Sequence, residues 1–222
     1  IYLNSKGELI LRLVFGNNPK KMIGTNIIGI DIGITKPIIC SDGKQFGSGS
    51  YIKHKKLEFG KKRAKHQKQK KQITNKQSNW TDDLNHKLSK KLIDYCVSND
   101  IGVLVLENLR GSHLANRKFR RYSWAFKDLL NKISYKAKNA GLKVVGVDPK
   151  YTSQICSVCG QKEKSNRISQ SLYECSICGV RLNADINAAR NIRNLSVMNG
   201  FSMNQTHGAL SGNYQTKLDC NS

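Results

Sequence analysis

Two copies of a C-x-x-C-G motif limit what this chain can fold into more than any other feature. Cys156 and Cys159 form the first pair and Cys175 and Cys178 the second, with 15 residues between the pairs. Four thiolates can bind one ion, and the glycine after each pair permits a tight turn around it. Sulfur ligands alone predict a closed tetrahedral zinc site with a structural role, because no position stays open for a substrate. A redox-active pair is the alternative, but it does not require a second pair at this spacing.

Three further cysteines, Cys40, Cys96 and Cys220, lie outside these motifs. The first two stand in apolar stretches and are predicted to be buried structural thiols. The sequence shows no secretion signal and no apolar run approaching the roughly 20 residues that span a bilayer. Metal binding is therefore favoured over disulfides, and the sequence predicts a soluble, cytoplasmic protein.

The charge of the chain predicts a polyanionic partner. There are 38 Lys and Arg against 15 Asp and Glu, a formal net charge of +23, and nucleic acid is the usual partner of such a surface. Residues 53–76 carry 11 Lys and Arg and one acid, Glu58. This stretch is too polar to pack in a core and is predicted to be a solvated helix or a mobile arm. Binding to a membrane surface would require large apolar residues opposite the basic ones, so no membrane partner is expected.

The residues expected to contact nucleic acid are basic and belong either to this stretch or to a later arginine-rich loop. They are Lys61, Lys62, Arg63, Lys65, Lys68, Lys70, Lys71, Arg117, Arg120 and Arg121. Contacts of this kind neutralise phosphates and hold a nucleic acid without reading its sequence.

The spacing of apolar residues predicts alternating strands and helices. Strands are predicted at four apolar runs, residues 8–15, 27–33, 103–106 and 143–147. An Asp-Gly turn at 42–43 predicts an antiparallel hairpin. One helix, capped by Thr81, is predicted to run to about Ser98, and a second, capped by Ser123, is predicted to be closed by Gly141. Their inward residues are expected to be Leu84, Leu88, Leu92 and Tyr95, then Phe126, Leu130, Ile133 and Ala137. This alternation predicts an α/β sheet with parallel neighbours.

Three of the 15 acids stand where a charge needs an explanation. Asp31 interrupts an apolar strand, where a lone buried charge is costly unless it is paired or binds a metal. Glu107 ends another apolar strand, and Asp185 lies at the start of a helix that Asn183 can cap. Each also has an ordinary interpretation: a partly exposed residue near a turn for Asp31, a partner of Arg110 for Glu107, and a charge that complements the helix dipole for Asp185.

These acids form one site if the sheet places Asp31 and Glu107 on adjacent strand ends and the last helix brings Asp185 over them. Such a cluster in a basic chain can hold Mg²⁺ ions against a phosphodiester. Asp148 also ends a strand, but Pro149 directly after it favours a role in a turn. No Ser-His-Asp or Cys-His arrangement competes, since the five histidines fall largely in basic or tail segments.

Three segments carry a resemblance to a known family. GIDIG surrounds Asp31, VLENL surrounds Glu107, and DPKYTSQICSVCG…YECSICGVRLNADINAARNI joins the four cysteines to Asp185. Together, across residues 8 to 195, they resemble the RuvC-type nuclease half of TnpB (OrfB), transposon-encoded RNA-guided DNA nucleases related to type V CRISPR effectors. The third segment is the most specific, because it joins the zinc cysteines to the third carboxylate at a fixed distance.

The resemblance implies an RNase H-like (RuvC) fold, a mixed sheet with an inserted four-cysteine zinc ribbon. It implies that Asp31, Glu107 and Asp185 bind catalytic Mg²⁺, and that Cys156, Cys159, Cys175 and Cys178 bind structural Zn²⁺. It also implies DNA and a guide RNA as partners, with DNA cut after the guide RNA has opened the duplex.

A division of the chain follows from the same resemblance. Residues 1–22 are expected to be remnant strands of an N-terminal domain, residues 23–150 the nuclease core with a basic helical insertion at 53–98, residues 151–182 the zinc ribbon, residues 183–195 the final helix, and residues 196–222 a disordered tail. The family carries an N-terminal region that binds the guide RNA, and this chain, beginning at Ile1, is expected to be truncated before most of it.

Two hypotheses of different classes remain. The first is a Mg²⁺-dependent DNA endonuclease, which the three acids favour. The second is a catalytically silent nucleic-acid-binding protein, either a guide-RNA-dependent regulator or a decayed transposase fragment, which the missing N-terminal region favours.

Overall fold

The computed structural model describes residues 2–3, 7–10, 24–69, 75–107, 125–148 and 151–198. The strands are β1 Tyr2–Leu3, β2 Leu9–Ile10, β3 Asn26–Asp31, β4 Ile38–Cys40, β5 Gln45–Phe46, β6 Ile101–Glu107, β7 Lys143–Val147, β8 Leu172–Glu174 and β9 Arg181–Asn183. The helices are α1 Gly49–Lys68, α2 Lys76–Ser98, α3 Phe126–Asn139 and α4 Ala184–Met198. The predicted strand at 8–15 is seen only as Leu9–Ile10, and residues 11–23 lie outside the described part.

Five strands form one mixed sheet in the order β5-β4-β3-β6-β7. Strand β6 pairs in parallel with β3 and β7, whereas β3, β4 and β5 pair antiparallel in sequence. The predicted α/β sheet, with its hairpin and its parallel neighbours, is therefore confirmed. At the Asp42-Gly43 turn, Gly43 adopts a φ of +96° and donates to the Cys40 carbonyl at 2.9 Å.

The inner strand β6 packs both of its faces against helices. Leu104 and Leu106 belong to the larger core, which α2 and α3 cover, and Cys40 and Cys96 are buried in this core as predicted. Val103 and Val105 face the opposite side, where they meet Ile192 of α4. Side chains alternate between the faces of a strand, and a nearly continuous apolar run is typical of a strand buried on both sides.

Two helices differ from their predicted bounds. Helix α2 begins at Lys76, with Asn75 before it, so the predicted cap at Thr81 is wrong. The added turn is stabilised by Trp80, whose ring lies 5.7 Å from that of Phe59 in α1. Helix α3 begins at Phe126, and Ser123, its predicted cap, lies outside the described residues.

The inward face of α3 is shifted slightly from its prediction. Phe126, Ile133 and Ala137 are buried as predicted, but Leu129 is buried where Leu130 was expected. Leu130 is only partly buried against the same core. Positions 129 and 130 both fit the spacing of this helical face, so periodicity alone does not distinguish them.

The basic stretch forms a solvated helix over its described residues. Helix α1 begins at Gly49 after Ser48, whose side chain accepts from the Tyr51 N–H, and it buries only Gly49 and Ile52. The helical alternative is confirmed for residues 53–68, whereas residues 70–74 are not described. None of the described helices is long and apolar enough to cross a membrane.

The last helix, α4, lies directly on β3. A Cβ added to Gly29 would lie 2.1 Å from the Ala189 carbonyl oxygen and 2.6 Å from the Arg193 nitrogen. Only a glycine permits this approach, since both contacts are with backbone atoms. Helix α4 runs to Met198, so the tail predicted from residue 196 starts too early, and residues 199–222 lie outside the description.

A substitution at Gly29 tests the packing of α4 on β3. We expect Gly29→Ala to lower the free energy of unfolding by about 1–3 kcal/mol, because overpacking forces the backbone to shift. Gly60→Ala in α1 is the matched control, since a Cβ there meets nothing within 4 Å. It should raise stability by about 0.5–1 kcal/mol, the usual difference between Gly and Ala inside a helix. Urea unfolding measures both, and equal stability of the two variants would contradict the account.

Candidate active site and metal centre

The four cysteines of the two motifs come together. The sulfur atoms of Cys156 and Cys178 lie 3.7 Å apart, and those of Cys159 and Cys175 lie 3.6 Å apart. All four lie within 4.8 Å of one another, the only such group of potential ligands among the described residues. A zinc ion with bonds of about 2.3 Å to four tetrahedral sulfurs separates those sulfurs by about 3.8 Å. The donor set and its spacing therefore fit zinc.

The two motifs fold into equivalent knuckles. Gly160 donates its N–H to the Cys156 carbonyl at 2.9 Å, and Gly179 does the same to Cys175 at 2.9 Å. Both glycines have positive φ, +76° and +70°, which glycine adopts without steric cost. The backbone N–H groups of the second knuckle, led by that of Cys178, lower the pKa of Cys175 to about 6. A thiolate, the form that binds metal, is thus favoured there.

Two tyrosines flank the knuckles but differ in environment. Tyr173, in the β8–β9 hairpin, is fully buried and packs with Cys156 and Cys175. Tyr151 is half exposed, and the Lys162 ammonium lies 3.1 Å from the centre of its ring. Of the two, only Tyr173 therefore belongs to the core of the ribbon.

Asp31 and Glu107 lie side by side at the carboxyl ends of β3 and β6. Ile30 pairs in parallel with Leu106, and each acid is the next residue of its strand. Because side chains alternate, Asp31 shares a face with Gly29, and Glu107 shares a face with the residues that meet α4. Both carboxylates therefore belong to the side of the sheet that α4 covers.

Helix α4 brings Asp185 to the same end of the sheet. Asn183 caps the helix as predicted, since its Oδ1 accepts from the N–H groups of Asp185 at 3.0 Å and Ile186 at 3.3 Å. Asp185 precedes Ala189, the residue against Gly29, by one turn, or about 6 Å. Asp31 lies two residues beyond Gly29, or about 6.6 Å along the strand. The two displacements are similar, and the charge of Asp185 acts on Asp31, so the two residues lie near each other.

The electrostatics agree with this placement. Burial, then the negative charges of Glu107 and Asp185, raise the pKa of Asp31 to about 7 against an opposing effect of Arg167. Burial also raises the pKa of Asp185, which Arg167 and Lys36 lower. Only the cysteines meet the 4.8 Å spacing among the described residues, so the three carboxylates lie further apart. Hard oxygen donors crowded by like charge fit Mg²⁺, which uses few protein carboxylates and retains water ligands.

Asp148 is placed differently from these three acids. It follows Val147, the β7 partner of Glu107, so it lies one strand beyond Glu107 as seen from Asp31. Its side chain is exposed. The placement agrees with the turn role that Pro149 favours.

Sequence reasoning missed one cation of the site, Arg167. This residue stands between the two cysteine pairs, and its Nη2 lies 3.6 Å from Asp185 Oδ1. Nothing in the local sequence marks it, because it belongs to an irregular ribbon loop without periodicity. Only the folded ribbon brings this guanidinium to carboxylates that are distant in sequence.

The predicted basic residues divide into three groups. Lys61, Lys65 and Lys68 are exposed on one face of α1, since residues at i, i+4 and i+7 share a helical face. Lys62 pairs with Glu58 at 2.7 Å, and Arg63 bonds to Gln77 of α2. The rest, Lys70, Lys71, Arg117, Arg120 and Arg121, lie outside the described residues.

Comparison with known proteins identifies a family model, a relative and a solved structure that this chain resembles. The family model of the Cas12f1-like TNB domain matches residues 126–192. The CRISPR-associated endodeoxyribonuclease Cas12f1 of Sulfoacidibacillus thermotolerans is 41% identical over 121 residues, 54% of this chain and 28% of that protein. The chain thus spans under a third of that relative. A cryo-EM structure of a Cas12f1-sgRNA-target DNA complex matches with a TM-score of 0.63 and 24% identity, over 82% of this chain and 51% of that one. The structural match shows a shared fold.

A shorter relative defines the family. The TnpB-like protein of Methanocaldococcus jannaschii is 31% identical over 198 residues, which cover 79% of this chain and 70% of that protein. The match includes most of both chains, and it agrees with the resemblance seen in the three sequence segments. This chain belongs to the TnpB family of RNA-guided nucleases.

Proposed function

We propose that this chain is the RuvC-type catalytic part of an RNA-guided DNA endonuclease that requires Mg²⁺. The observation that carries the proposal is the placement of Asp31, Glu107 and Asp185 at one end of the sheet, on two adjacent strand ends and one helix start, where the charges of Glu107 and Asp185 act on Asp31. The strand order β5-β4-β3-β6-β7, with one antiparallel side and one parallel side, supports an RNase H-like interpretation of the sheet. The TnpB relationship supports the activity.

The chemistry assigned to the site is hydrolysis of a phosphodiester bond. Asp31, Glu107 and Asp185 would hold Mg²⁺, which would activate a water for attack and neutralise the leaving oxygen. Arg167, whose Nη2 lies 3.6 Å from Asp185 Oδ1, would place a positive charge beside these carboxylates. No described histidine stands in the site as a proton carrier, which suits metal-dependent hydrolysis.

The cysteine cluster is assigned a structural role. Cys156, Cys159, Cys175 and Cys178 would hold one Zn²⁺ with all four positions filled by protein, which leaves none for substrate. The ribbon then keeps Arg167 beside the carboxylates. The division proposed for the chain is a nuclease core over 23–150, a ribbon over 151–182 and the final helix from Ala184. Within the core, the basic insertion predicted at 53–98 is limited to α1, because α2 packs in the main core through Leu88, Leu92 and Cys96.

The partners proposed are DNA and a guide RNA. The structurally similar Cas12f1 is described in complex with sgRNA and target DNA, and the charge of +23 suits such polyanions. The basic face of α1, formed by Lys61, Lys65 and Lys68, is the described surface most suited to phosphates. Affinity would then reside in the basic surface and catalysis in the acidic site.

The alternative is a silent binding protein of the same family. It would keep the zinc ribbon and the basic face but would not cleave. The three carboxylates favour the enzyme, since a binding protein has no use for buried acids that repel its ligand.

The zinc assignment has a direct test. Elemental analysis of the purified chain should give one zinc per molecule, and Cys156→Ser with Cys175→Ser should give none. Chelation should unfold the ribbon first, because metal-binding energy contributes to its folding. The control is Cys40→Ala with Cys96→Ala, which changes two buried thiols elsewhere and should keep the zinc. Zinc retained by the first double variant would contradict the assignment.

The catalytic assignment is tested by removing each acid. Asp31→Ala, Glu107→Ala and Asp185→Ala should each abolish Mg²⁺-dependent cleavage while leaving DNA binding nearly intact, because affinity rests on phosphate contacts. The assay supplies a family N-terminal segment and a guide RNA. Asp148→Ala is the control and should cost much less. Target binding without any cleavage in Mg²⁺ or Mn²⁺ by the unaltered protein would support the silent alternative.

The basic face of α1 is tested by salt dependence. Changing Lys61, Lys65 and Lys68 to Gln should flatten the plot of log binding constant against log salt by about 0.9 per lost contact on duplex DNA. The matched control changes Lys87 and Lys90 of α2, which pair with Asp83 at 2.6 Å and Asp94 at 2.9 Å. Those variants should keep the original slope. An unchanged slope in the α1 variant would show that the helix is only a solvated spacer.

A further inference from the structure

Two asparagines of α4 hold the backbone of the first zinc knuckle. Asn187 accepts from the Ser157 N–H at 2.9 Å and donates to the Ile155 carbonyl at 2.7 Å, so it binds the residues on both sides of Cys156. Asn191 donates to the carbonyls of Ile155 at 2.6 Å and Thr152 at 2.8 Å. Both amides are buried, where hydrogen bonds are costly to lose. The knuckle is therefore bonded to the helix that carries Asp185.

Thr152 extends this connection to the sheet. Its side chain is 4% exposed, and its hydroxyl donates to Glu107 Oε1 at 2.7 Å. The carbonyl of the same residue accepts from Asn191. Thr152 is thus bonded on one side to a carboxylate at the end of β6 and on the other to α4.

We propose that Thr152 is a positioning residue that orients Glu107 for metal binding and ties it to the helix bearing Asp185. This inference rests on the proposed Mg²⁺ site. A donor that engages Oε1 limits rotation of the carboxylate and directs its remaining lone pairs toward a cation. Groups that bond to metal ligands in this way influence metal affinity without touching the metal.

The ribbon thereby becomes part of the carboxylate site in two places. Thr152, before the first knuckle, holds Glu107, and Arg167, between the knuckles, lies beside Asp185. The third carboxylate, Asp31, lies close enough to Glu107, Asp185 and Arg167 for their charges to act on its pKa. A ribbon that served only to bind nucleic acid would require neither the Thr152–Glu107 hydrogen bond nor the Arg167–Asp185 ion pair.

The test measures Mn²⁺ binding to the zinc-loaded 222-residue chain by electron paramagnetic resonance of the free ion. The site is defined as the binding that Asp31→Ala removes. Thr152→Val keeps the size of the side chain but removes the donor, and it should weaken this binding about 10- to 100-fold. Thr152→Ser restores the hydroxyl and should bind nearly as the unaltered chain does. If valine changes the zinc content, Thr152→Ala replaces it with the same expected loss.

Thr25→Val is the matched control. The Thr25 hydroxyl also donates to a carboxylate, that of Asp100 at 2.6 Å, but away from the site, so its loss should leave Mn²⁺ binding unchanged. Equal binding by the unaltered chain and Thr152→Val, with one zinc in each, would overturn the role of Thr152 alone. Absence of any Asp31-dependent binding in the unaltered chain would overturn the proposed metal site as well.

Discussion

The close approach of α4 to β3 is the constraint on which the candidate site depends. The helix backbone occupies the space that a side chain at position 29 would fill, with Ala189 only 2.1 Å from the position of a Cβ. Asp31 and Asp185 lie at similar distances from this contact, one along the strand and the other along the helix. A larger residue at position 29 would move the helix outward, and the two carboxylates would separate.

The basic surface and the acidic site are proposed to have different roles, phosphate binding for the first and cation binding for the second. A chain of +23 attracts polyanions, yet the carboxylates of Asp31, Glu107 and Asp185 lie partly buried at the carboxyl end of the sheet. Burial, and then the like charges of Glu107 and Asp185, raise the pKa of Asp31, so the site is unfavourable until cations neutralise it. Arg167 supplies part of this neutralisation. The same arrangement explains how a basic protein would admit a phosphate to an acidic site, since bound cations would reverse the local charge.

The local sequence was sufficient to predict the elements that have a strong apolar or cysteine pattern. The strand at 143–147 has its predicted bounds, and the cysteine spacing anticipated the cluster that the structure shows. The predicted start of α2 was wrong because contacts between Trp80 and α1 extend the helix. Such tertiary contacts leave no signal in the local sequence. Thr152 and Arg167 were missed for a similar reason, because they reach their carboxylates only across the folded ribbon. The roles of the three acids as metal ligands stay predictions.

The central claim is that Asp31, Glu107 and Asp185 form one divalent-cation site beside a separate zinc site. Anomalous diffraction from crystals of the chain soaked in Mn²⁺, recorded at the manganese and zinc edges, tests it most directly. The account predicts manganese bonded to oxygens of Asp31 and at least one of the other two acids, with zinc confined to the four cysteines. Ordered carboxylates without manganese, in crystals that hold zinc at the cysteines, would contradict it.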